Sequence, residues 1–152
     1  MTSIDYETIF NSFLGNIVDY DLAQLDEDLA NTLMKEYLRK AISQAYNYHI
    51  FSSITFDGDL ETVSYEMEYP VNDFIDNEFV IYILSKAMVL EWITPQVNNT
   101  VNLAQMFTGK ESKYYSQAAH LDQLRNLKSD IEVEIRRKIK DRGYVNNSYL
   151  GG

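Results

Sequence analysis

The residues of this chain whose types could do chemistry are few: two histidines, one crowd of carboxylates and one glycine–lysine pair. His49 and His120 stand apart, and neither has the second ligand at helical spacing that a zinc site of the HExxH kind requires. Each reads as a surface or packing residue. Asp57, Asp59 and Glu61 share one turn and could approach a calcium ion. Their spacing fits no EF-hand, and Asp57-Gly58 is turn chemistry in its own right. The stretch TGKES, residues 108–112, carries a Gly-Lys pair, but a phosphate loop needs an earlier glycine where Ala104 stands, and a strand before it.

Nucleophilic catalysis has no visible parts. There is no cysteine, hence no thiol nucleophile, thiolate metal site or disulfide, and no GxSxG run. Among 23 carboxylates no acid–base pair stands out. The sequence therefore predicts no catalytic, cofactor-binding or metal-ligating residue, and a protein that is not an enzyme.

Charge is more informative. The chain carries a formal −10, spread unevenly: residues 1–100 hold 17 acids and 4 bases, residues 101–152 hold 6 acids and 9 bases. Five of the seven residues from Arg136 to Arg142 are basic. Opposite-signed ends favour head-to-tail attraction between copies, or docking of one pole on a surface of opposite sign. Binding to duplex DNA depends on neutralising phosphates, which an acidic chain opposes. No stable sequence-specific nucleic-acid binding is expected, although an acidic surface suits a channel through which DNA slides. The 12 tyrosines exceed ordinary usage, and such rings serve at partner contacts as well as in cores.

These residues must be positioned by elements readable from periodicity. The N-terminal MTSIDYETIFNSF lacks the basic start and apolar run of a signal peptide, and the longest apolar run, FVIYIL, is too short to cross a bilayer. A soluble protein made inside a cell, with no membrane partner, is the expectation.

Thr2 and Ser3 precede an amphipathic helix with Ile9, Phe10, Phe13, Leu14 and Ile17 on one side. A second helix opens at Asp26-Glu27-Asp28 and aligns Leu29, Leu33, Tyr37, Leu38, Ala41 and Ala45. Asp57-Gly58 then separates two β-prone runs. In the second, Val63, Tyr65, Met67 and Tyr69 alternate with Thr62, Ser64, Glu66 and Glu68, one buried face against one wet face. A lone hairpin is marginal, so this one must lie on a helix or pair with a neighbouring copy.

Residues 79–93 are apolar on nearly all sides and predict a central helix, closed at Thr94-Pro95, which reads as the cap and first residue of another. A final helix runs from about Ser112 to Arg142 with Gly143 as its stop. It is longer than a core of this size covers, so one end should project or pack on another chain.

The fold class expected is mainly α: a helical bundle with one β-hairpin, about residues 53–69, and a long C-terminal helix followed by an extended tail. Residues 1–142 form a single helical domain with the hairpin, and 143–152 the tail.

The run EFVIYILSKAMVLEWITPQVNNTVNLAQMFTGKESKYYSQAAHLDQL and the ending IKDRGYVNNSYL resemble a family of small virion proteins of tailed bacteriophages infecting Gram-positive bacteria. The resemblance covers about residues 60–150. It implies a structural virion protein, a head–tail connector or adaptor, located in the neck between head and tail. Such proteins form a homo-oligomeric ring, commonly a dodecamer, under the portal protein. They extend the DNA channel and give the tail or a downstream neck protein its attachment surface.

By that analogy Arg136, Arg137, Lys138, Lys140, Arg142, Tyr144 and Tyr149 would face the portal or a neighbouring subunit, and the tail would order on binding. Two alternatives remain open at this stage. One is a tail-completion or baseplate component of the virion; the other is an acidic helical protein-interaction module.

Overall fold

The computed structural model describes residues 2–17, 27–45, 49–106 and 111–146. The chain runs β1 (Thr2–Asp5), α1 (Tyr6–Leu14), α2 (Glu27–Ala45), β2 (Phe51–Asp57), β3 (Thr62–Met67), α3 (Asp73–Met106) and α4 (Glu111–Asn146). It is mainly helical with one small antiparallel sheet, in the order β1-β3-β2.

The β2–β3 hairpin forms where the Asp-Gly signal placed it. Val63, Tyr65 and Met67 turn inward, and Glu66 and Glu68 lie outside. The alternation stops at Met67, because Tyr69 is exposed. What makes the hairpin stable is a strand absent from the sequence-based expectation. Thr2–Asp5 pairs antiparallel with β3, Ser3 opposite Ser64 and Ile4 opposite Val63. Thr2 and Ser3 are thus strand residues instead of helix-cap residues, and Asp5 occupies the cap position of α1.

In α1 the spacing Tyr6, Ile9, Phe10, Phe13 places four side chains on one buried stripe. Leu14, expected on that face, is exposed. In α2 the buried stripe is Met34, Leu38, Ala41 and Ile42, with Tyr37 partly buried beside it. Leu29 and Leu33 face outward, so the expected face was rotated by about one residue.

α3 is the axis of the molecule, packing on α1, α2 and α4. It contributes Phe79, Val80, Ile83, Leu84, Ala87, Met88, Val89, Trp92 and Ile93 to the core. Its start is capped: Asn72 Oδ1 accepts the Ile75 backbone N–H at 2.9 Å.

The break expected at Thr94-Pro95 does not occur, and α3 continues through Pro95 to Met106. A proline here removes the N–H that would bond the Glu91 carbonyl. The neighbours take up carbonyls of the same turn. Thr94 Oγ1 donates to the Leu90 carbonyl at 2.7 Å, and Gln96 Nε2 to that of Trp92 at 3.2 Å. Pro95 itself is exposed, which keeps its ring out of the core.

That continuity changes the reading of the last helix. α3 and α4 have 34 and 36 residues, about 51 and 54 Å at the usual helical rise. α4 therefore has an intrachain partner of its own length. The two run antiparallel, with Lys86 Nζ 3.0 Å from Glu134 and Arg142 against Asp76. Leu124, Ile131 and Ile135 are buried along the seam, and Ile139 is partly buried. Gly143 does not stop α4, which passes through it to Asn146. The rest of the expected tail, 147–152, and the expected break at Thr108-Gly109 lie outside the described residues.

Candidate interaction surface

The cationic segment singled out from sequence divides in two. Arg142 points inward. Its side chain is 9 % exposed, and one guanidinium nitrogen lies 2.6 Å from Asp76 Oδ1 and 3.1 Å from the Tyr69 carbonyl. The guanidinium also sits over the Phe79 ring, 4.6 Å from its centroid. Asp76, 7 % exposed, accepts the Val71 N–H at 3.2 Å as well. Arg142 therefore staples the end of α4 to the start of α3 and to the loop before it. This corrects its expected role as a residue free to face a partner. A charge-assisted bond to a buried carboxylate outcompetes contact with an external surface.

Arg136, Arg137, Lys138 and Lys140 are exposed on α4. The Lys138 ammonium rests 5.1 Å from the Tyr82 ring centroid, with Lys86 at 5.6 Å from the same ring. Arg136, Arg137 and Lys140 surround a shallow depression on the outer side of the helix, together with Val133 and Asp141. Tyr144 falls within the last helical turns, and Tyr149 lies outside the described residues.

Beside this stripe is a feature that sequence reasoning missed. A groove of about 470 Å³ lies where α3 begins and α4 ends, lined by Val71, Phe74, Ile75, Phe79, Tyr82 and Lys138 among others. Phe74 is 74 % exposed, Tyr69 66 % and Ile75 45 %. Phe74 and Ile75 displayed together, beside Lys138 and the carboxylates of Glu78 and Asp141, make an apolar anchor with a mixed-charge rim of the kind that protein partners use. The available signal was the run VNDFIDNEF, where Phe74 and Ile75 follow the helix cap and precede the first core residue, Phe79. Apolar residues in a first turn, ahead of the buried stripe, have little to pack against.

Between β3 and α3, Tyr65 donates its hydroxyl hydrogen to Asn77 Oδ1. Burial, helped by the negative charges of Asp76 and Asp73, pushes the Tyr65 phenol up to about 12. The Tyr6 phenol is raised further by burial and by Asp57 and Glu61, and it donates to the Asp57 carbonyl at 3.0 Å.

Among the described residues, those first considered for catalysis are not assembled into a site. His49 sits at a left-handed turn position just before β2, and His120 is exposed on α4. Asp57 spends its carboxylate on the hairpin turn: Oδ1 accepts the N–H groups of Asp59 and Leu60 at 3.0 and 3.1 Å. Gly109 and Lys110 lie outside the described residues. Among the described residues no cluster of potential metal ligands occurs, and no helix is long and apolar enough to cross a membrane. Comparison of the chain with protein-family models, with curated proteins and with solved structures gave no match.

Proposed function

We propose that this chain is a structural, non-enzymatic assembly protein of a tailed-phage virion, a head–tail connector that forms a ring under the portal. In this role it lines part of the DNA channel and offers the tail its attachment surface. The observation that supports the reading best is the two-sidedness of α4. Its inner seam is closed within the chain, while its outer side presents Arg136, Arg137 and Lys140 to solvent on a chain of net −10.

A subunit of this design brings a stable body and a separate cationic face to its partner. That face, with Lys138 and the adjoining groove, is the part assigned to the portal or to a neighbouring copy. The acidic remainder suits a wall that DNA passes without adhering. The resemblance of residues 60–150 to phage neck proteins agrees with this assignment.

The test uses the full chain and the portal protein encoded nearest its gene. Mixing the two should yield a complex of ring mass, and Arg136→Glu with Arg137→Glu should prevent it while leaving the circular dichroism spectrum unchanged. A charge-reversed variant that still joins the portal would contradict the assigned face. A chain found by electron microscopy at the baseplate would replace the station proposed here.

A further inference from the structure

A second cleft, between α1 and α2, carries free charge of one sign. About 430 Å³ in volume, it is lined by the buried side chains of Tyr6, Phe10 and Met34, with Leu14 exposed at its edge. Its charged residues are Glu7, Glu27 and Glu61 against a single cation, Lys35. Lys35 is engaged by Glu61 at 2.8 Å. The exposed carboxylates of Glu7 and Glu27 are left with no ion pair among the described residues. The walls are braced. The Lys35–Glu61 pair ties α2 to the β2–β3 turn, and the Tyr6 N–H ties α1 to the same turn through the Glu61 carbonyl at 2.9 Å. Residues 18–26, which join the two helices, contain Asp19, Asp21 and Asp26 and no base, so their charge is repelled by this rim.

The opposite sign stands on α4. Val133, Arg136, Arg137 and Lys140 are spaced by three and four residues, which places them on one side of the helix around its shallow outer depression. Asp141 is the one acid lining that depression, while Glu132 and Glu134 lie toward the seam and are half-buried. None of the three cations forms an ion pair among the described residues. At about 100° per residue, Val133 and Arg137 lie nearly opposite Ile135, which is buried in the seam. The stripe therefore points away from its own body and cannot turn back to the cleft of the same chain. Two unpaired surfaces of opposite sign on different sides of one chain define a heterologous contact, the kind that closes into rings.

We infer that copies of this chain associate head to tail, the α4 stripe of one subunit lying across the α1–α2 cleft of the next, with Arg136 and Arg137 facing Glu7 and Glu27. This contact rests on the assembly role proposed above and specifies its subunit interface. Charge complementarity selects a second copy as the occupant, because the chain itself carries the cationic, outward-facing helix that the acidic cleft matches. The long arginine stems can cover Leu14 and Phe10 while their guanidinium groups reach the carboxylates. The braced walls lower the ordering cost of docking.

Sedimentation of the full chain without portal, across a concentration series, tests the contact. Glu7→Lys with Glu27→Lys, and separately Arg136→Glu with Arg137→Glu, replace exposed side chains, so the circular dichroism spectrum should stay unchanged. Each pair should weaken self-association by about tenfold or more. An equimolar mixture of the two variants restores opposite charges at every contact and should regain the association that each has lost. Raised salt should weaken the parent's association. Self-association that Glu7→Lys with Glu27→Lys leaves unchanged would overturn this interface without touching the assembly role, which the portal complex reads separately. Wild-type chain that stays monomeric up to its solubility limit would also overturn it, whatever it does with the portal. Loss in both variants with no recovery on mixing would do the same, and would give the cleft to residues 18–26 or to a cationic partner other than a copy.

Discussion

α1 and α4 are both amphipathic, yet the body holds them in different ways. In α1, four of nine residues are buried, and Phe13 and Ile9 have no exposure at all. Across residues 119–143 of α4, only Leu124, Ile131 and Ile135 are buried. The short helix is therefore part of the core. The long one is attached along one seam and pinned at its end by Arg142. An element attached that way keeps most of its circumference available, and the functional assignment relies on that availability.

The sharpest way to break the comparison is to remove one anchor from each helix. Asp76→Ala leaves Arg142 buried without its countercharge and should cost about 3–5 kcal/mol. Amide exchange should accelerate over residues 131–142 before it does in α1. Phe13→Ala empties a fully buried site and should cost about 3–5 kcal/mol by cavity formation. In contrast to the first variant, it should lower protection throughout the sheet and α2. Equal, uniform loss of protection in both variants would mean that α4 is as integral to the core as α1.

Pro95 offers a smaller test within the α3–α4 pair. Replacing it with alanine restores the missing backbone bond in an exposed turn and should stabilise the protein by about 1–3 kcal/mol in urea unfolding. No change would mean that the bond missing at the Glu91 carbonyl costs this exposed turn nothing.

The smallest expected effect is alkaline. Below pH 10 the Tyr65 phenol is protonated in both folded and unfolded chains. As pH rises the unfolded chain releases that proton first, whereas the folded chain holds it to about 12. The unfolded state then binds fewer protons, so stability falls between those values. Tyr6 adds to the same trend, since burial and two nearby carboxylates raise it as well. Melting temperatures of Tyr65→Phe should fall less steeply over that range than those of the parent chain.

Much of the fold was legible in the sequence because local signals and tertiary demands agreed. Asp57-Gly58 with alternation after it specified the hairpin, and uniform apolarity over residues 79–93 specified the central helix. Where they disagreed, the long-range term prevailed. Thr2–Asp5 carries no strand alternation of its own and becomes a strand because β3 offers an open edge. Pro95 has the local look of a helix start, yet α3 runs on through it to Met106, with the proline on the exposed side.

The surface was legible only in part. Arg136, Arg137, Lys138 and Lys140 were visible as a charge run. That Arg142 belongs to another environment depends on Asp76, 66 positions away, which no local pattern encodes. Phe74 and Ile75 also went unseen, because an exposed apolar residue becomes meaningful only once its exposure is known.

The central claim is that this chain is built to be completed by other subunits through the outer side of α4 and the groove beside it. The most direct measurement is the mass of the purified full chain, alone and after mixing with the portal protein encoded nearest its gene. The account expects concentration-dependent multiples of the subunit alone and a discrete ring-sized complex with the portal. A single subunit mass under both conditions, at every concentration, would contradict it.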